Sequence, residues 1–411
     1  MSLAAISVCA LFVTILISCV TKLNVGVLAI AMAWIIGVYL GGFKVDQIAA
    51  GFPVQLFLTL VGMTLLFAQA QLNGTLDKLA HKAVKICRGN AGLIPLMFFF
   101  VAAVLASFGP GNIASAALMA PIAMAVGSRA GVPAFLMAIM VGNGANAGSL
   151  SPFAPTGIIV SGLMAKIGLP GHEWQSYWTS FLAHAAVAAG GYLLFGGPGL
   201  FASRRHPCSP PEPAGEPLNR DNWITLAIIS LLLISVIFLH INVGMGAFLA
   251  VGVLGLVRAA DHAEPIRKIP WSVIIMVSGV TVLIALLEKT QGLALFTELL
   301  ARVATRQSVS GVVAFLTGAV SVYSSTSGVV LPAFLPTVPG LASRLSADPV
   351  SIALSMNVGS HLVDVSPLST IGALCIAAAP ADVDTRRLFN LMLAWGFSMT
   401  IVGAALCYIF F

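Results

Sequence analysis

The stretch GNGANAGSLSPFAPTG at 142–157 interrupts an apolar segment that is long enough to enter a lipid bilayer. A second stretch of the same kind, NVGSHLVDVSPLSTIG, occupies 357–372. Proline removes a backbone donor and glycine weakens a helix, so neither stretch can stay helical throughout in hydrocarbon. The freed amides and carbonyls then need partners from the protein or from a ligand. Each stretch therefore predicts a helix that is broken at membrane depth.

The two stretches are copies of each other within a longer repeat. Pro121 and Ser151 correspond to Pro336 and Ser366, because 336 − 121 and 366 − 151 both equal 215. The same offset superposes further pairs: Ser128 on Ser343, Arg129 on Arg344, Gly144 on Gly359, Pro152 on Pro367 and Gly157 on Gly372. So many matches in one register indicate an internal duplication. Offsets of 218 and 217 relate 24–26 to 242–244 and 52–53 to 269–270, so the repeat extends over nearly the whole chain.

The composition is that of a polytopic membrane protein. The chain has 411 residues, of which 59% are hydrophobic and only 8% are charged, and its mean hydropathy is +1.01. A soluble core of this size could not absorb so much apolar surface. The net charge of +6 is assigned to cytoplasmic loops, because no basic cluster is interleaved with aromatic residues, and no nucleic-acid partner is expected. Six cysteines without metal-ligand spacing are interpreted as packing residues.

The order of apolar runs predicts the same plan twice. In the first half we expect spans at 3–20, 25–41 and 54–71, an interfacial amphipathic helix at 75–88, a re-entrant hairpin with arms 91–107 and 113–127, a broken helix at 131–166, and a span at 179–200. In the second half we expect spans at 222–240, 243–258 and 271–287, an amphipathic helix at 292–306, a hairpin with arms 311–322 and 328–343, a broken helix at 350–379, and a span at 388–410.

The predicted fold is therefore an all-α polytopic membrane protein built from two inverted repeats, 1–200 and 222–411, joined by a cytoplasmic linker at 201–221. Each repeat has five transmembrane spans, one of them broken, plus a re-entrant hairpin. Five is odd, so the second copy is inverted relative to the first. With the segment after the third span in the cytoplasm, fourteen Lys and Arg lie on the cytoplasmic side and six on the other. The positive-inside rule then places both termini outside the cytoplasm, in a cytoplasmic-membrane protein.

Two tips and two breaks brought together near the midplane would offer helix N-termini to an anion, and carbonyls and hydroxyls to a cation. The candidate substrate-binding residues are Asn112, Ser115, Thr156, Ser325, Thr326, Ser327 and Thr370. The candidate coupling-ion residues are Asn143, Asn146, Ser149, Ser151, His361, Asp364 and Ser366, and Na⁺ candidates are Gly111, Asn146, Ser325 and Asp364. The alternative for the hydroxyls is bonding to their own helix backbone, and Asn143 and Asn146 could instead cap half-helices.

Two ionisable residues occupy the second break. At the offset of 215, His361 corresponds to Asn146 and Asp364 corresponds to Ser149. Ionisable groups at membrane depth are rare and usually functional, so we expect Asp364 to carry a cation or proton, with His361 as its partner or as a donor to the substrate. The alternative is a structural pair that locks the break. The chain has no Walker-type motif and no Arg-rich voltage-sensor helix, which argues against a primary pump.

The run GNIASAALMAP at 111–121 resembles the Ser-Asn-Thr hairpin signature of the divalent anion/sodium symporters, within the wider ion transporter superfamily. Together with the stretch at 142–157, FPVQLFLTLVGMTLLFAQAQLNGTLDKLA at 52–80 is most similar to the malonate/dicarboxylate carrier branch. The resemblance extends over essentially the full chain. It implies a homodimer in the lipid bilayer with scaffold and transport domains, elevator-type alternating access, a small dicarboxylate between the two tips, and Na⁺ beside each tip.

The chain departs from that signature at both tips. Gly111, Asn112 and Ile113 occupy the first Ser-Asn-Thr, and Ser325, Thr326 and Ser327 occupy the second. The first tip keeps only its Asn, and the second has Thr in place of Asn. The lost hydroxyls weaken the case for two ordinary Na⁺ sites, while Asp364 keeps proton coupling open.

We therefore expect a secondary transporter, not an enzyme, that imports a malonate- or succinate-like dicarboxylate with Na⁺ or H⁺ and needs no other cofactor. The break stretches contain no Arg or Lys, so amides and hydroxyls are expected to hold the anion. One alternative is a cation/proton antiporter of the same superfamily, in which Asp364 binds the cation directly. A remote alternative is an intramembrane enzyme using Ser366 and His361, for which two matched breaks would have no purpose.

Overall fold

In a computed structural model, the described residues are 2–20, 23–76, 78, 90–202, 217–239, 241–257, 263–380 and 383–411. Across these ranges the chain is all-helical and contains no strand. The amphipathic helix expected at 75–88 and the linker expected at 201–221 fall largely outside the described residues.

The helices of the first half are Leu3–Val20 (α1), Val25–Trp34 (α2), Val45–Ala49 (α3), Val54–Leu72 (α4), Leu93–Ser107 (α5), Gly111–Arg129 (α6), Ala134–Gly148 (α7), Pro155–Lys166 (α8), Glu173–Leu194 (α9) and Gly197–Ala202 (α10). A π-helical segment, Ile35–Leu40, follows α2 without a break.

The helices of the second half are Arg220–Leu239 (α11), Val243–Leu256 (α12), Ala263–Lys268 (α13), Trp271–Lys289 (α14), Gly292–Arg302 (α15), Val309–Ser321 (α16), Leu331–Phe334 (α17), Val338–Leu345 (α18), Pro349–Leu362 (α19), Thr370–Ala377 (α20) and Thr385–Phe410 (α21). A π-helical segment, Thr326–Val330, precedes α17, and 3₁₀ turns lie at Leu335–Thr337 and Val363–Val365.

The interruptions expected from the sequence are present. Residues 149–154 separate α7 from α8, and residues 363–369 separate α19 from α20. Pro155 is the first residue of α8, where its missing N–H costs no helical hydrogen bond. At the first hairpin tip, Gly109 has a φ of +131° and lies under the Phe67 ring, 1.8 Å from where a Cβ would stand. Only glycine fits both that backbone angle and that approach.

Six of the described helical segments are long and apolar enough to cross a membrane: 54–72, 111–129, 271–289, 326–345, 349–377 and 385–410. Large apolar side chains on the outside support this, since Leu194, Leu256 and Phe410 are 79%, 86% and 74% exposed. Such a surface is stable against lipid tails and not against water. Two of the six segments are return arms of the expected hairpins, and length cannot tell a re-entrant arm from a span. Their re-entrant course stays a prediction.

The helices form two hydrophobic clusters. One is centred on α1, α2, α4, α12, α14 and the return arm of the second hairpin, and the other on α5, α6, α7, α9, the break after α19, and α21. The two halves share the same order of elements, and equivalent glycines make equivalent contacts. A Cβ on Gly144 would lie 2.3 Å from the Phe99 carbonyl oxygen, and one on Gly359 would lie 2.4 Å from that of Ala314. The inverted orientation of the halves stays a prediction.

Candidate functional site

Both hairpin tips and the second break line one cavity of about 520 Å³. The first tip contributes residues 110–113, the second contributes 323–327, and the second break contributes 364 and 368–371. The wall opposite is formed by α4 and the start of α14. The cavity therefore lies where the two hydrophobic clusters meet, and both halves of the chain build it.

Several helices begin at this cavity. Gly111 opens α6, Thr156 lies in the first turn of α8, Thr326 opens the second π-helical segment and Thr370 opens α20, and all four residues line the cavity. The N-cap residues of α6 and α8 make no side-chain cap. A helix N-terminus carries a partial positive charge and unpaired N–H groups. Four of them around one space favour an anion there.

The first tip is tied to the first break by amide and hydroxyl groups. Asn112 Nδ2 donates to Asn146 Oδ1 at 2.9 Å, and Ser151 Oγ donates to the carbonyl of Ser107 at 2.7 Å. Neither bond involves a charged group. This tie fixes where the first tip stands relative to α7 and α8.

The second tip is tied to the second break through a carboxylate. Thr326 Oγ1 donates to Asp364 Oδ1 at 2.7 Å and also contacts the hydroxyl of Ser321. Ser369 Oγ donates to the backbone carbonyl of Asp364. Asp364 is only partly buried and lines the cavity, so an ion in the cavity can reach its carboxylate.

Nine of the residues singled out from the sequence line this cavity: Gly111, Asn112, Thr156, Ser325, Thr326, Ser327, His361, Asp364 and Thr370. The rest are buried beside it and do not line it: Ser115, Asn143, Asn146, Ser149, Ser151 and Ser366. Of these, Ser115 Oγ donates to the carbonyl of Ala102 and Ser149 Oγ to that of Asn146, both at 2.7 Å. Ser149 thus bonds to the backbone of its own helix, which was the alternative left open by the sequence, whereas Ser115 bonds to the neighbouring helix α5. A substrate-binding role for Ser115 and a coupling-ion role for the other five stay predictions.

Other cavity residues were not singled out from the sequence. Lys268, at the end of α13, is an exposed cation at the cavity, so amides and hydroxyls are not the only groups near an anion there. Asn24 also lines the cavity, and its Nδ2 donates to the Ser272 carbonyl at 2.9 Å, which joins the start of α2 to the start of α14. The repeated Asn-Val-Gly at 24–26 and 242–244 was the available signal for Asn24.

A second cavity, of about 830 Å³, lies at the other ends of α4 and α14. The first cavity is lined by four residues of α4, namely Thr64, Phe67, Ala68 and Gln71. The second cavity is lined by the residues of α14 that lie 217 positions later, namely Thr281, Ile284, Ala285 and Glu288. The start of α14 lines the first cavity and the start of α4 lines the second. The two cavities thus use positions that correspond in the repeat.

Comparison with known proteins identifies the N-terminal third. Residues 1–149 match the family described as the dicarboxylate carrier protein MatC N-terminus. No curated protein sequence matches the chain. The fold is similar to that of the YdaH transporter of Alcanivorax borkumensis, at 15% identity over 89% of each chain with a TM-score of 0.61. It is also similar to that of MtrF of Neisseria gonorrhoeae, reported to illuminate a class of antimetabolite efflux pumps. That match has 13% identity over 91% of this chain and 84% of the other, with a TM-score of 0.58.

The resemblance to the malonate/dicarboxylate carriers noted from the sequence is thus confirmed over residues 1–149. The protein is a multi-pass membrane transporter whose N-terminal third matches the dicarboxylate carrier family and whose chain as a whole has the fold of these solved transporters.

Proposed function

We propose that this protein is a secondary active transporter that imports a small dicarboxylate of the malonate or succinate class together with Na⁺ or H⁺. The observation that carries the proposal is the meeting of four helix N-termini at one 520 Å³ cavity between the two hairpin tips. A cavity of this volume accommodates a small organic anion with several waters. The match of residues 1–149 to dicarboxylate carriers supports the substrate class.

In this proposal the two carboxylates of the substrate meet different groups. One lies against the N-termini of α6 and α8, beside Asn112 and Thr156, where backbone N–H groups and the helix dipoles favour negative charge. The other lies against the second tip, where Ser325, Ser327 and the start of α20 supply hydroxyls and amides. Lys268 attracts the anion toward the cavity from its exposed position.

For Na⁺ as the coupling cation, the position we propose is the second tip. Asp364 accepts a hydrogen bond from Thr326 on one carboxylate oxygen, and it remains accessible from the cavity. A cation bound there would offset the negative charge of the substrate beside it. Loading of the anion and of the cation would then favour each other, which is what symport requires.

For movement across the membrane we propose alternating access between the two cavities. The two cavities lie at opposite ends of α4 and α14, and residues at corresponding positions of the repeat line them. The hairpin tips could therefore pack against either end of these two helices, one end at a time. Two inverted repeats permit such an exchange. An elevator-type motion of the tips and breaks along α4 and α14, in a homodimer of the cytoplasmic membrane with both termini outside the cytoplasm, would accomplish it.

The test is uptake of labelled malonate and succinate into proteoliposomes under an inward Na⁺ gradient in one set and an inward H⁺ gradient in the other. We expect accumulation under at least one gradient. Asn112→Ala should abolish it, because the change breaks the tie to Asn146 and removes an amide from the cavity. Asn390→Ala, at an exposed position of α21, is the matched control and should transport normally. Undiminished uptake by Asn112→Ala would refute the site.

A cation/proton antiporter is the second candidate, and the carboxylate of Asp364 in the cavity is the observation that favours it. It predicts no uptake of either dicarboxylate, and collapse of an imposed pH gradient when Na⁺ or K⁺ is added. Asp364→Asn would abolish that collapse, while Asn112→Ala would have little effect on it.

A further inference from the structure

Two histidines lie completely buried on neighbouring helices. His184 belongs to α9 and His361 to α19, and each is 0% exposed. The two helices pack against each other. His361 lines the main cavity, whereas His184 lies behind it and does not. A buried ionisable side chain in a membrane protein is costly and usually has a function.

The hydrogen bonds fix the same tautomer in both rings. His361 Nδ1 lies 2.8 Å from the backbone carbonyl of Asn357, and a carbonyl can only accept, so Nδ1 carries the hydrogen. Asn143 Nδ2 donates to the Ile139 carbonyl at 2.8 Å, which leaves its Oδ1 as an acceptor 3.0 Å from His184 Nδ1. His184 Nδ1 therefore also carries the hydrogen.

Each ring consequently offers a bare Nε2 lone pair inside the protein. Neither Nε2 has a hydrogen-bond partner, and the Oδ1 of Asn357 in the same region has none either. A buried acceptor that makes no hydrogen bond is unfavourable by about 1–3 kcal/mol. A group that supplies positive charge or a hydrogen to the two nitrogens would remove that penalty.

A proton fits these acceptors better than a metal cation does. Na⁺ prefers oxygen ligands to imidazole nitrogen, as hard cations do. Transition metals favour imidazole but need further ligands, and the described residues contain no group of three or more His, Cys, Asp or Glu that could hold one. One proton can be held by either Nε2, and a second proton is opposed by like-charge repulsion.

We propose that His184 and His361 together form the binding site of one coupling proton, reached from the main cavity through His361. This inference rests on the proposed symport and names its ion as H⁺. Of the elements packed on α19, α9 contributes His184, α21 contributes Cys407 at the Ser355 carbonyl, α18 contributes the exposed Arg344, and α7 and α16 contribute no buried titratable side chain. Asp364, three residues after His361, is also ionisable and faces the cavity.

The site would couple proton and substrate through charge. When the anion occupies the cavity, its negative charge stabilises an imidazolium at His361, and His184 shares the proton as its partner. When the anion leaves, the buried positive charge loses that support and the proton is released toward the cavity. No covalent step is involved, and the proton moves between imidazole nitrogen and water.

The decisive variant is His184→Gln, because His184 does not line the cavity and glutamine is neutral at all relevant pH values. Two measurements use full-length protein in proteoliposomes: accumulation of labelled succinate under an inward H⁺ gradient without Na⁺, and exchange of labelled for unlabelled succinate without any gradient. The third measures proton uptake, followed with a pH dye, when succinate is added to weakly buffered purified protein. His172→Gln, at a half-buried position before α9, is the matched control.

We expect the wild type and His172→Gln to accumulate succinate with H⁺ and to take up close to one proton per bound substrate. His184→Gln should lose accumulation and proton uptake while it continues to exchange succinate, since exchange needs binding and movement but no net proton flux. Normal accumulation and proton uptake by His184→Gln would overturn the inference. So would wild-type uptake driven by Na⁺ without proton movement, in which case the transporter proposal would stand. Absence of succinate and malonate exchange in the wild type would instead defeat the proposed function itself.

If His184→Gln is not recovered as a monodisperse protein, His184→Asn and His361→Gln take its place, with proton uptake as the readout. Proton uptake that is retained in both of these variants would overturn the inference as well.

Discussion

Replacement of Gly359 by alanine tests how the second half of the site is held together. Gly359 lies on α19 where this helix crosses α16, and a Cβ there would stand 2.4 Å from the carbonyl oxygen of Ala314 and 2.5 Å from its Cα. Both atoms belong to the backbone of α16, so no side chain can turn away. The two helices must separate by about 1 Å, and overpacking of this kind costs about 1–3 kcal/mol.

The separation would also reach the site. The helix α16 ends at Ser321, whose hydroxyl contacts Thr326, and α19 leads into the turn that carries Asp364. Moving the helices apart lengthens the 2.7 Å bond between Thr326 and Asp364. A hydrogen bond to a charged group contributes about 1.5–3 kcal/mol. Because this bond ties the second tip to the second break and each 1.4 kcal/mol is a factor of ten, we expect the initial rate of labelled succinate uptake to fall about tenfold.

The assay is the unfolding midpoint of purified protein in a denaturing-detergent titration, paired with the initial rate of labelled succinate uptake. Gly252→Ala on α12 is the control, because no atom lies within 4 Å of its added Cβ, and it should change stability by less than about 0.5 kcal/mol. Gly144→Ala, whose Cβ would lie 2.3 Å from the Phe99 carbonyl, should be as destabilising as Gly359→Ala. If Gly359→Ala unfolded at the same midpoint as Gly252→Ala, the packing argument would be refuted.

Two further predictions concern single hydrogen bonds. Thr326→Val keeps the shape of the side chain but removes the donor that joins the second tip to Asp364, so uptake of labelled succinate should fall several-fold while Thr326→Ser stays close to wild type; equal loss in both variants would contradict this role. Asp348 caps α19, and although burial raises its pKa, bonds from the Ser351 hydroxyl and amide hold the pKa below its ordinary value. The stability that this cap contributes is present at neutral pH and is lost as pH falls below about 4. The unfolding midpoint of Asp348→Asn should therefore depend less on pH than that of the wild type between about pH 5 and pH 3. An unchanged pH dependence would exclude this contribution.

The tips and breaks could be located from the sequence because their causes are local. Proline at position 155 and the glycines at 109 and 111 determine where helices begin and end regardless of what packs around them. The same locality explains why the second break could be identified as the unusual one, since His361 and Asp364 stand out against their apolar surroundings. Nine of the candidate residues accordingly line one cavity.

Orientation within a helix could not be predicted in the same way. Ser115 lies four residues after Gly111, yet its hydroxyl bonds to Ala102 on α5 instead of entering the cavity. Which side of α6 faces α5 depends on packing between the arms, and an apolar run that is hydrophobic all round carries no periodic signal for it. His184 was missed for a related reason. Its partner Asn143 is 41 positions away, and only the fold brings the two side chains together.

The hydrogen bonds that hold the two hairpin tips differ in charge. This difference limits which half of the site can respond to a cation. In the first half, neutral amides join Asn112 to Asn146. In the second half, His361 stands at the position of Asn146, and the tip residue Thr326 bonds instead to Asp364, at the position of Ser149. A neutral amide pair cannot change its charge when the cavity opens to one side or the other, so the first tie can position the tip but cannot sense an ion by titration. A carboxylate and an imidazole can do so. If the two halves frame one anion as we propose, His361 and Asp364 concentrate the proposed ion coupling on the second half.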